Sequence, residues 1–107
     1  MKMSKIQLSE SDNTAAGANW NIVSLSNDND IIGCNTVTYS ANNTYEYPVS
    51  DWFTIKGVSG SYKLLVTAEK ALKYSSNIDM SNATNIPLGG TYTADGALGT
   101  TVYFALQ

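Results

Sequence analysis

The 107-residue chain contains no histidine and no arginine; all six of its basic residues are lysines. Without imidazole there is no usual general base near neutral pH, no Ser-His or Cys-His nucleophile, and no ordinary zinc or iron site. Without guanidinium there is no bidentate fork for phosphate or for the edge of guanine. Charge is sparse too, at 14% of residues against the usual quarter or so. The net charge of -3 opposes nucleic acid and anionic membranes, which attract basic surfaces. No run of about 18 apolar residues is present to form a spanning helix. Neither a nucleic-acid partner, a membrane partner nor a cofactor is expected.

Cysteine is nearly absent as well. Cys34 stands alone, so no intrachain disulfide can form. Its neighbours in I-I-G-C-N suggest a small buried core residue rather than a reactive thiol. The opening residues, M-K-M-S-K-I-Q-L-S-E, carry positive charge with no apolar segment behind it. The expectation is synthesis in the cytoplasm without a signal peptide.

Uncharged polarity takes the place of charge. Serine, threonine and asparagine make up about a third of the residues, and apolar residues 43%. That balance is too apolar and too neutral for a disordered chain. At this length it fits a single domain, residues 1–107, with one core.

The densest apolar block is Asp51 to Ala68, D-W-F-T-I-K-G-V-S-G-S-Y-K-L-L-V-T-A. It reads as two strands joined by a turn at Gly57–Gly60, with Tyr62, Leu64, Val66 and Ala68 on one face. Phe53 and Ile55 oppose Trp52, so if the Phe53 face is core, Trp52 points outward. Elsewhere, Lys5 to Ser9 alternates as a short edge strand, and Glu10 to Ala18 has loop composition. Asn19 to Ser26 is a strand whose apolar face switches between Ile22 and Val23, which hints at a bulge. Asn27-Asp28-Asn29-Asp30 is a turn. Asn35–Ser40 and Thr44–Val49 alternate as a hairpin around Ala41–Asn43, and Pro48 marks an edge.

Thr67 to Ser76 suits either a short helix over 67–74 or a turn at Glu69-Lys70 followed by a strand to Ser76; the second is preferred. Ile78–Met80 reads as briefly extended, Ile86–Thr93 as a strand kinked at Gly89-Gly90, and Asp95-Gly96 as a turn. Thr100–Leu106 is a strand that should be pinned within a sheet. Seven to nine short antiparallel strands spaced by Asn, Gly and Ser turns predict an all-β domain, a β-sandwich or jelly roll.

Three sets of residues are candidate sites. Tyr39, Tyr45, Tyr47 and Trp52 form an aromatic set suited to stacking on sugars or anchoring a protein interface. Asp28 and Asp30 are close-spaced oxygens of the kind calcium takes, though no third carboxylate lies near them in sequence. Scattered acids, and serines with no base but lysine, give no catalytic signature, so no enzyme activity is expected. The composition suits a protein working outside the cell that made it. The leading expectation is a non-enzymatic phage virion component, such as a capsid decoration, fibre or tail-associated protein, pairing through edge strands into a homo-oligomer. A carbohydrate-binding module or lectin using Trp52 with Tyr45 or Tyr47 is the alternative, and a protein inhibitor of a host or competitor enzyme the third.

Overall fold

The computed structural model describes residues 2–14, 17–40 and 45–107. It is an all-β protein of ten strands in two antiparallel sheets, the arrangement of a β-sandwich. The strands are β1 (Met3–Thr14), β2 (Gly17–Ser26), β3 (Ile31–Ser40), β4 (Glu46–Pro48), β5 (Phe53–Gly57), β6 (Leu64–Ala68), β7 (Leu72–Ser75), β8 (Thr84–Ile86), β9 (Thr91–Ala94) and β10 (Thr101–Leu106). One sheet runs β3-β2-β1-β10-β7-β8, the other β4-β5-β6-β9.

Both sheets turn an apolar face to one shared core. Ile6 and Leu8 of β1, Trp20 and Ile22 of β2, and Val102 and Phe104 of β10 supply the larger sheet's side. Phe53 and Ile55 of β5 with Leu64, Val66 and Ala68 of β6 supply the smaller sheet's. Period-two alternation puts these side chains on one face of each strand, which is why the pattern marks them in sequence. Phe53 and Phe104 meet across the middle with ring centroids 4.9 Å apart. The Trp20 indole N–H donates to the Tyr62 carbonyl at 3.2 Å, tying the sheets together at one end.

The Asp51–Ala68 block folds as read, with β5 pairing β6 from Phe53↔Ala68 to Gly57↔Leu64. Trp52 corrects the expectation that it points outward: it is only 5% exposed. Strand alternation does not govern it, because β5 begins one residue later and Trp52 lies in the preceding bend. There its carbonyl accepts the N–H groups of Glu69 and Lys70, at 2.7 and 3.2 Å. That contact also resolves the Thr67–Ser76 ambiguity. No helix occurs among the described residues; β6 ends at Ala68, the chain turns at Glu69-Lys70, and β7 follows.

Other expectations fail for reasons of pairing. Lys5–Ser9 belongs to β1, which lies inside the six-stranded sheet between β2 and β10 rather than at an edge. The polar stretch after it is strand and not loop, since Glu10 to Thr14 pair with β2 from Trp20 to Gly17. Partner hydrogen bonds override weak intrinsic propensity there. Asn35–Ser40 and Glu46–Pro48 do not form a hairpin: β3 pairs with β2, whereas β4 pairs with β5 in the other sheet. The expected turn at 41–43 lies outside the described residues. Ile78–Met80 is a turn, with Met80 and Asn82 at φ of 62° and 57°. The Gly89-Gly90 kink is where the chain passes from β8 in one sheet to β9 in the other.

The irregularity expected in β2 is present but displaced. The β2–β3 register shifts between Ser24↔Gly33 and Leu25↔Ile31, leaving Ile32 as the extra residue of β3. The Asn27–Asp30 turn closes this hairpin with Asn29 at φ 64°. The Ser26 hydroxyl accepts the Asp28 and Asp30 N–H groups at 3.3 and 3.2 Å.

Candidate functional site

The aromatic set is only partly a surface feature. Tyr39 lies on the inward face of β3, and its hydroxyl donates to the Ile55 carbonyl at 3.4 Å. Burial, with Tyr45, Tyr47 and Glu46 nearby, pushes its ionisation up to about 12. The Tyr39 and Tyr45 rings lie 6.2 Å apart and tilted by 42°. Tyr47 is half-buried against the core, and Tyr45, at 56% exposure, is the most open ring of the set. The three tyrosines therefore come together, but as the wall of a core, and Trp52 is sealed inside the same core cluster. A sugar-stacking platform needs open ring faces, and Tyr45 alone does not make one.

A second aromatic group, not singled out in the sequence, lines a groove of about 310 Å³ at the other end of the sandwich. Tyr74 of β7 and Tyr92 of β9 pack with centroids 4.3 Å apart. They lean on Phe104 at 6.5 and 5.9 Å, so they too extend the core.

Asp28 and Asp30 are exposed in the hairpin turn. Among the described residues no group of three or more acids or cysteines gathers as a metal site. The acid with the unusual setting is Glu10. It sits on the inward face of β1, 2% exposed, with one carboxyl oxygen accepting the Asp12 N–H at 3.0 Å and the other without a partner. Burial, opposed by that hydrogen bond and abetted by the Asp12 charge, raises its pKa from the ordinary 4.5. The folded protein therefore holds this proton more tightly than the unfolded chain does. The stabilising effect is greatest below the ordinary carboxyl value and is lost as pH rises through the folded one. Asp51, bonded to Lys70, and Asp79, bonded to the Ser81 N–H, are instead held below their ordinary 3.8. Their contributions are lost only as pH falls into the acid range. As pH rises above the ordinary carboxyl value the wild type should thus lose stability in urea titrations, and Glu10→Gln should flatten that slope. An unchanged slope in the variant would mean that Glu10 does not titrate in this way.

The outer face of the six-stranded sheet is the widest surface the fold builds. Cross-strand partners face the same side of a sheet, so the registers define rows. Cys34, Val23, Gln7 and Tyr103 form one; Thr36, Asn21, Ser9 and Thr101 form the next. The Thr36 and Thr38 hydroxyls donate to the side-chain carbonyls of Asn21 and Asn19, each at 2.7 Å. These rows hold hydroxyls, amides and apolar groups and no charge. A shallow depression of about 120 Å³ follows at the Thr38 end, where Asp12 contributes one carboxylate.

This face ends at β3, where the expectation for Cys34 is overturned. Cys34 is exposed, not buried. Ile31 and Ile32 beside it are 70% and 41% exposed. Their apolar character suggests core, but β3 is an outer strand, and the Ile32 bulge lies outside the regular inward alternation that resumes at Val37 and Tyr39. The sequence signal that accompanies them is ten successive residues, Ile31 to Ser40, without a charge.

Comparison with protein-family models, with curated proteins and with solved structures found no match for this chain.

Proposed function

We propose that the protein is a non-enzymatic structural domain that works by contact with other proteins, as capsid decoration, fibre or tail-associated components of phage virions do. The observation that supports this reading is the outer face of β3-β2-β1-β10, whose middle rows carry no charge, ending in the β3 edge with exposed Ile31, Ile32 and Cys34. Such an edge offers unpaired backbone donors and acceptors to a neighbour, and natural sheets commonly blunt it when no neighbour exists. The other outer strands are blunted: β4 and β8 have three residues and β9 four, and β4 carries Pro48 with Glu46. Long β3 has neither charge nor proline, and beyond the Ile32 bulge near its start its register runs without a break from Gly33 to Ser40. A glycan-binding role for Trp52 with Tyr45 or Tyr47 loses its platform, because the Trp52 ring is buried. The test is to label purified phage particles with gold-conjugated antibody to this chain. Regular labelling supports the proposal; particles that carry none, from cultures that make the protein, remove it.

A further inference from the structure

We infer that the groove where Tyr74 and Tyr92 meet binds a neutral oligosaccharide, at least two sugar units long. The site lies away from β3, and nothing in it depends on what meets that edge. Topology assembles it. Tyr74 comes from β7 in the larger sheet and Tyr92 from β9 at the margin of the smaller. Thr84 of β8 stands opposite Tyr74 in the ladder and so shares its face. The turn between β7 and β8 adds Ser76 and Asn82 to the lining. The hydroxyls of Tyr74, Ser76, Thr84 and Tyr92 and the Asn82 amide make no hydrogen bond to any described residue. None of them is buried out of the reach of water; the unpaired side-chain atom that is so buried among the described residues is Glu10 Oε2. Five open groups, each able to donate and to accept, thus converge on one groove.

The site is built before any ligand arrives. The Ser75 hydroxyl donates to the Ser81 carbonyl at 2.6 Å and accepts the Asn77 N–H at 3.0 Å. The Asp79 carboxylate accepts the Ser81 N–H at 2.9 Å. Asn82 leaves this braced turn at φ 57°, in the left-handed region that few side chains adopt. The two tyrosine rings are fixed by each other and by Phe104. Groups held in place in this way lose little freedom on binding.

The chemistry of the lining selects the ligand. No lysine lines the groove or the adjoining depression of about 350 Å³, where the one charge is the Asp79 carboxylate. An anion would be repelled there, and a single carboxylate is too few oxygens for a hard cation. A flat heteroaromatic ligand would find the Tyr74 and Tyr92 faces already packed. An apolar ligand would strip water from five polar side chains and return nothing to them. Sugar hydroxyls, which donate and accept at once, match the lining. The adjoining depression shares Ser76 and Asn77 with the groove and adds Ile78 and Tyr103. It takes the second unit, with an apolar strip for the C–H face of the sugar ring.

The experiment is an amide-resolved NMR titration of the whole chain with maltose, cellobiose, lactose and N,N′-diacetylchitobiose, with glycerol and inorganic phosphate as controls. At least one disaccharide should shift the amides of residues 76–84 and 91–93 saturably. Asn82→Gly keeps the left-handed backbone and Tyr92→Phe keeps the packed ring, so both should fold. Each should weaken binding about threefold, the loss of one neutral hydrogen bond, and the two together about tenfold. Tyr45→Phe, which removes the same hydroxyl elsewhere, should leave binding unchanged. No saturable shift with any of the four disaccharides overturns the inference. So do shifts that map outside the groove, an affinity indifferent to both variants, or an equal response to glycerol or phosphate.

Discussion

Phe104→Ala should lower the free energy of unfolding by about 3 to 5 kcal/mol, the range for deleting a fully buried phenyl ring. Phe104 is completely enclosed and lies on β10, at the middle of the six-stranded sheet. Its ring packs on Phe53 of the opposite sheet and, at the sandwich mouth, on Tyr92 and Tyr74. Truncation removes a contact at the centre of the shared core. The neighbours that would have to collapse into the space are aromatic rings on three different strands. Since domains of this kind have about 5 to 15 kcal/mol in all, the variant should sit close to its unfolding midpoint at low denaturant. Equilibrium urea unfolding followed by circular dichroism measures this. A loss under about 1 kcal/mol would mean that the sheets are not joined through Phe104.

Gly96→Ala is the second large effect, and its cause is space. An alanine Cβ at Gly96 would lie 2.6 Å from both the carbonyl carbon and the Cβ of Tyr62, and 2.8 Å from the Tyr62 oxygen. Backbone cannot yield as a flexible side chain can, so the loop from Val58 to Lys63, which contains Tyr62, must move. That loop carries the Tyr62 carbonyl that accepts the Trp20 indole N–H, so displacing it breaks this hydrogen bond as well. The Gly96 carbonyl in turn accepts from the Asn13 side chain at 3.1 Å, so the strain reaches β1. A loss of about 1 to 3 kcal/mol is expected for such overpacking, together with a shift of Trp20 fluorescence toward the emission of a wetter indole. Gly33→Ala is the matched control. A Cβ there would meet nothing closer than the Ser24 Cβ at 3.8 Å, which is ordinary contact, and stability should barely change. Equal losses in the two variants would count against a steric origin.

The elements legible in the sequence are those whose evidence is local. Period-two alternation marks Phe53–Ile55 and Leu64–Ala68, and the paired Asn and Asp residues mark the turn before β3. The Glu69-Lys70 turn is legible against a competing helix because strand pattern resumes at Leu72. What local pattern does not carry is the choice of partner. Nothing between Asn35 and Val49 states that β3 pairs backward with β2 while β4 pairs forward with β5, so a crossing between sheets reads as a hairpin. The same gap explains the candidate site. Ile31, Ile32 and Cys34 are apolar in either setting, and only the sheet order shows that no strand flanks them among the described residues. Trp52 is misplaced by carrying alternation one residue beyond the start of β5.

The position of β10 has a consequence in time. It is the last of the ten strands in chain order, yet it lies between β1 and β7, with Ile6 opposite Phe104 across nearly the whole sequence. Until β10 emerges during synthesis, β1-β2-β3 and β7-β8 are two separate fragments with open edges facing each other. Closure of so distant a pair is entropically slow, and sandwiches dominated by such pairings fold in roughly milliseconds to seconds. The edges of β1 and β7 therefore stay unpaired longest just where β10 inserts.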